Sequence, residues 1–135
     1  TIAPKLLLDF STAIKSCAHF VIIADKTPET LEDYLNAGKA IQSFWLQATA
    51  LQLGFQPEQT PVIFSEYLRN DIKFTTNKFT QQNVIRVDKR FKSLIGEDNV
   101  KRSVFMGRLG RSTPATSRSV RLSLEELRFQ RKKQG

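Results

Sequence analysis

The apolar positions of this chain form one dense run and several spaced stripes. Residues 17–24, Cys-Ala-His-Phe-Val-Ile-Ile-Ala, are nearly continuous in apolar character with β-branched residues towards the end, a pattern that predicts a buried central strand. Ahead of it, Leu6, Leu7, Phe10 and Ile14 are spaced for a short amphipathic helix over 3–15. Behind it, the polar turn at 25–29 offers Thr27 as an N-cap and Pro28 as a first helical residue, with Glu29 and Glu32 complementing the helix dipole. Leu31, Leu35, Ala40, Ile41, Phe44, Trp45, Ala48, Leu51 and Leu53 then cover more than one stripe. They predict a long helix over 28–53, buried on several sides, with Gly54 as its stop and Pro57 beyond it.

The pattern is looser between 56 and 82, where Val62, Ile63, Phe64, Tyr67 and Leu68 suggest a short helix and 70–80 a loop. Val84, Ile85, Val87, Phe91 and Leu94 predict a second amphipathic helix over 81–94, closed by Gly96. A polar turn, Glu97-Asp98-Asn99, precedes a late strand over 103–109 that carries Val104, Phe105, Met106 and Leu109. A helical turn at 122–127 and a frayed basic tail at 128–135 complete the chain. There is no internal repeat and no low-complexity block.

Composition narrows the class. The 135 residues, 40% hydrophobic with ten phenylalanines, suit one domain with a real core. The chain begins at Thr1, and residues 1–16 lack the features of a secretory signal, so it reads as a piece of a longer protein or a processed product. No apolar run is long enough to cross a bilayer, and a single cysteine, Cys17, reads as a small buried hydrophobe. The expected compartment is the cytoplasm. The net charge of +8 is unevenly placed: residues 1–85 hold 7 Lys/Arg and 8 Asp/Glu, residues 86–135 hold 14 and 5. An anionic partner is therefore expected at the C-terminal third.

That third contains the most distinctive chemistry. Residues 108–127 thread Arg108, Arg111, Arg118 and Arg121 through Gly110, Pro114 and the hydroxyl residues Ser112, Thr113, Thr116, Ser117 and Ser119. Guanidinium forks and hydroxyl donors in an irregular backbone suit a phosphate. Other chemistries find little support. His19 lies in the apolar run, where a satisfied core histidine is expected, and no second His or Cys set stands at metal-ligand spacing. With its one His placed in an apolar strand the chain offers no Ser/His/Asp triad, and the pair Gly107 and Gly110 lacks the third glycine of a dinucleotide fingerprint. Nucleic-acid binding through the basic residues is the main competitor.

The order of these elements, with Ala37-Gly38, Ala40, Gln42, Leu46, Ala48 and Leu53-Gly54 in the long helix and Phe105-Met-Gly-Arg-Leu-Gly-Arg-Ser112 before the arginine segment, resembles the C-terminal half of the nitroreductase-like flavoproteins. The arginine segment is closer to a divergent branch in which such a domain is appended to a larger protein, sometimes with an adenylating domain. The resemblance spans 17–127, loosely over 56–99. It implies an α+β domain over 1–127, a mixed sheet packed by helices, and a homodimer in which the long helix crosses the interface. It also implies FMN bound at that interface, with NAD(P)H as electron donor. Gln56 and Pro57 would lie by the flavin ring, the Gln56 backbone flanking it; Arg121 and Arg118 would hold the phosphate, with Arg111 as a helper. Two departures stand out: the usual basic-x-Arg pair would need a basic residue at Ser119, and 1–16 lacks the family's first arginine-rich motif. Those departures keep two alternatives in view, a flavin-less dimerisation or docking domain of a larger protein and a basic nucleic-acid-binding segment.

Overall fold

The computed structural model describes residues 16–111 and 122–127, without the side chains of Leu124 and Glu126. The expected helix at 3–15 and the basic tail lie outside the described residues. The fold is α+β. Strand β1 (Ala18–Ile23) leads to helix α1 (Leu31–Ala50), strand β2 (Leu53–Pro57), helices α2 (Thr60–Arg69), α3 (Lys78–Ile95) and α4 (Glu97–Arg102), strand β3 (Ser103–Arg111) and a single turn, α5 (Leu124–Leu127).

The three strands form a sheet in the order β1-β3-β2, with both pairings antiparallel. This corrects the expectation of a mixed sheet around a central strand at 17–24. Among the described residues β1 is an edge strand, its first two residues and Ile23 exposed, and Cys17 is exposed too. The centre belongs to the longer β3, whose nine residues pair on both sides. Gly107 permits this. A Cβ built there would stand 2.8 Å from the Phe20 ring and 3.0 Å from the Gln56 carbonyl oxygen, so the side chain of β1 occupies the volume that glycine leaves on β3.

Helix α1 starts three residues later than its sequence suggested, because Thr30 rather than Thr27 is the N-cap. The Thr30 hydroxyl accepts from the Asp33 amide while the Asp33 carboxylate accepts from the Thr30 amide, a reciprocal capping box. The helix ends at Ala50, before Gly54. Gln52, at φ 58°, makes the left-handed reversal, and residues 53–57, expected as helix end and turn, are the strand β2. There Gly54 faces Gly110. Helix α3 begins earlier than expected because Asn77 caps it, its side chain accepting from the amides of Phe79 and Thr80. Gly96 ends it at φ 88°. The expected polar turn at 97–99 is instead the opening of α4.

One face of the sheet carries the aromatic core. Phe20 of β1, Phe55 of β2 and Phe105 of β3 meet Phe44 and Trp45 of α1, with Phe20 and Phe44 centroids 4.6 Å apart and Trp45 stacked on Phe55 at 4.2 Å. Only a narrow stripe of α1 faces inward: Ala37, Ile41 and Phe44 are partly covered and Ala48 is buried. Leu31, Tyr34, Leu35, Leu46 and Leu51 are exposed, so the expectation of a helix buried on several sides is not met within this chain. Val84, Phe91 and Val100 form a second buried group on α3 and α4.

Candidate functional site

Alternation along the strands sorts side chains onto two faces. Phe20, Gly107 and their neighbours take the aromatic face, and the residues one step along take the other. Register places His19 opposite Arg108 and Arg108 opposite Gln56, so a polar row crosses all three strands on the face opposite the phenylalanines. Arg108 is its centre and is buried. Its Nε and Nη2 donate to Gln56 Oε1 at 3.2 and 2.7 Å, and its Nη1 lies 3.0 Å from Glu58 Oε1. The second oxygen of Glu58 lies 3.4 Å from His19 Nε2. A buried guanidinium needs both a counter-charge and acceptors, and Gln56 with Glu58 supply them.

This arrangement removes Arg108 from the phosphate-binding segment: its donors point into the fold and are used there. His19 is half-exposed rather than a core residue. Through Glu58 it links the buried cation to the surface. Glu58 was not anticipated from the sequence. Its signal was present in the alternation of Gln56-Pro-Glu58 against Met106-Gly-Arg108, which becomes legible once β2 is known to be a strand.

The residues assigned to the flavin are only partly brought together. Gln56 and Pro57 lie in β2 rather than in a free turn. The Gln56 side chain holds Arg108, and the Glu58 amide donates to the Met106 carbonyl at 2.9 Å. By the antiparallel alternation, the Gln56 backbone therefore also points into the β3 ladder, whereas Pro57 faces outward. The outward position suits a residue without an N–H. Arg111 ends β3 opposite Leu53 and is exposed, with no ion-pair partner among the described residues. Four residues separate it from the partner of Pro57, or about 13 Å along the strand. Arg118 and Arg121 lie outside the described residues.

A second feature is an open cleft of about 360 Å³ between the end of β1 and the start of α1, lined among others by Ile22, Ala24, Ala37 and Val104. Lys26 and Asp33 form an ion pair of 2.9 Å in its wall. Lys26 donating to Asp33, together with the amide and hydroxyl of Thr30 and the Glu29 amide, holds the Asp33 carboxyl well below the usual carboxylate range. The same pairing raises the Lys26 ammonium above its ordinary value.

Among the described residues no group of three His, Cys, Asp or Glu side chains could hold a metal ion, and no helix is long and apolar enough to cross a membrane. Comparison of the chain with family models, with curated proteins and with solved structures finds no match.

Proposed function

We propose that the chain is the C-terminal part of a nitroreductase-like, FMN-dependent oxidoreductase domain that takes electrons from NAD(P)H and passes them to an acceptor. The observation that carries this reading is the order of a long helix with outward apolar residues, then a late central strand, then the arginine segment that follows it in the sequence. Bound FMN would supply the redox chemistry. The chain's own residues would bind and orient it. Arg111 fits that task, since its guanidinium is exposed and uncommitted among the described residues. Arg118 and Arg121 follow it in the sequence as the resemblance's phosphate clamp, three apart instead of in the usual basic-x-Arg spacing. Gln56 does not fit as a ring contact, because Arg108 holds its side chain and the ladder takes its backbone; Pro57, facing outward, remains available. The test is reconstitution of the full-length protein with FMN followed by the visible spectrum and a fluorescence titration. Bound flavin is expected, and Arg121→Gln should weaken it by about tenfold or more, the worth of a charge-assisted hydrogen bond. Absence of flavin bands after reconstitution would sink the cofactor assignment.

A second reading is favoured by the commitment of Gln56 and by the uncovered leucines of α1: a domain of the same architecture that works without flavin, as a dimerisation or docking module. Those leucines are a large apolar area for a chain this small to leave in water.

A further inference from the structure

Helix α3 has a buried face and an outer face of opposite character. Val84, Asp88 and Phe91, at spacings of four and three, are buried. On the other side of the helical wheel, Lys78, Arg86, Lys89 and Arg90 are all exposed and fall within an arc of about 120°, given 3.6 residues per turn. The one carboxylate of this helix, Asp88, points inward and takes the Lys92 ammonium at 2.9 Å. The outer face is therefore cationic with no anion of its own.

Elsewhere among the described residues half of the cations are neutralised in place, and Lys39, Arg69, Lys73 and Arg111, which are not, stand apart on α1, α2, the loop after α2 and β3. Lys26, Lys101, Arg102 and Arg108 lie 2.9, 3.7, 3.9 and 3.0 Å from a carboxylate. The four on α3 have no such partner among the described residues. Arg86 and Arg90 are moreover four apart on one helix, a like-charge pair that opposes the helix unless an anion screens it. From Lys78 to Arg90 the row extends about 18 Å.

We propose that the outer face of α3 binds the sugar–phosphate backbone of a nucleic acid without sequence preference. The charge row matches a polyanion of closely spaced phosphates. Gln82 and Ser93, exposed among the cations, add neutral donors of the kind that position a protein on phosphates without reading bases. A lipid surface fits less well, since the two most exposed apolar residues, Phe79 at 71% and Leu94 at 76%, stand at opposite ends of the helix instead of forming an insertable stripe. This inference is independent of the flavin reading and concerns a different surface.

The test is fluorescence anisotropy of a short labelled DNA duplex, titrated with the whole chain over a salt series. Neutralising four phosphate contacts gives a slope of about −3.6 in log affinity against log salt, or roughly 150-fold between about 50 and 200 mM. The variant Lys78→Gln, Arg86→Gln, Lys89→Gln, Arg90→Gln should lose that increment. A variant with Arg128, Arg131, Lys132 and Lys133 all changed to Gln should keep it. Circular dichroism checks that the helices persist. If the fourfold variant does not fold, Arg86→Gln and Lys89→Gln singly should each flatten the slope by about 0.9, and no flattening in either overturns the proposal. It is equally overturned if the wild-type chain shows no affinity at low salt, if the α3 variant binds as wild type while the tail variant does not, or if only phosphatidylserine vesicles are bound.

Discussion

Arg108 shows how one residue type takes opposite roles according to register. Arginines in an irregular, hydroxyl-rich segment read as phosphate ligands, yet the first of them is buried on a central strand, on the face opposite the aromatic core, and is held by Gln56 and Glu58. The partners differ in what their loss would cost. Glu58→Ala leaves a buried guanidinium without its counter-charge and should destabilise the fold by about 2–3 kcal/mol, below the figure for a fully buried pair because Glu58 is partly wet. His19→Ala removes only the outer, half-exposed contact and should cost less than about 0.5 kcal/mol. Urea unfolding of the two variants measures the difference, and equal midpoints would mean that Arg108 finds its counter-charge elsewhere. His19 was misjudged from sequence because a histidine in an apolar run looks enclosed, whereas an edge strand gives it one open side.

At the scale of elements, helix α1 is set by its first turn. Asp33 gathers the Lys26 ammonium, the amide and hydroxyl of Thr30 and the amide of Glu29, all donors that favour its ionised form. Its folded-state pKa is therefore depressed, and the unfolded chain binds more protons than the folded one below the ordinary Asp value of 3.8. The associated stability is present above that value and is lost as pH falls beneath it. Thermal unfolding between about pH 5 and pH 2.5 should show this acid-dependent decrement in the wild type, and Asp33→Asn should flatten it. Helices α1, α2 and α3 and the late strand were legible from periodicity, and Gly96 closes its helix where expected, whereas α4 read as a turn and the caps Thr30 and Asn77 were not read. Strand β2 was not, since its five residues contain a glycine and a proline, both ordinarily breakers. Gly54 lies in the strand opposite Gly110, and Pro57 takes the outward edge position where no N–H is needed. The turn ahead of them is made by Gln52, a residue whose left-handed geometry no sequence pattern advertises.

For the whole molecule, the composition indicated enough aromatic material for a core, the α+β class came from the resemblance and is the class of the fold, and the apolar excess of α1 was visible in the spread of its leucines. Which strand would sit in the middle was not visible, because that depends on which strand finds two partners. Of the polar row, the sequence singled out Gln56 for a different role and did not show that Arg108 takes it. The docking reading makes a prediction at this scale. If the outer leucines of α1 are an interface, Leu35→Glu and Leu46→Glu should convert a dimer to monomers in analytical ultracentrifugation while leaving the circular dichroism spectrum intact; a wild-type chain that sediments as a monomer at all concentrations removes that reading. The position of β3 has a further consequence, in the order of synthesis. The strand that joins the other two is the last of the three to leave the ribosome. Until Ser103–Arg111 has emerged, Ala18–Ile23 and Leu53–Pro57 have no strand partner among the described residues, and Phe20 and Phe55 wait in an unclosed sheet. Assembly is therefore late and collective: the helices can form as they are made, but the nascent chain must shelter two unpaired strands until its final third arrives.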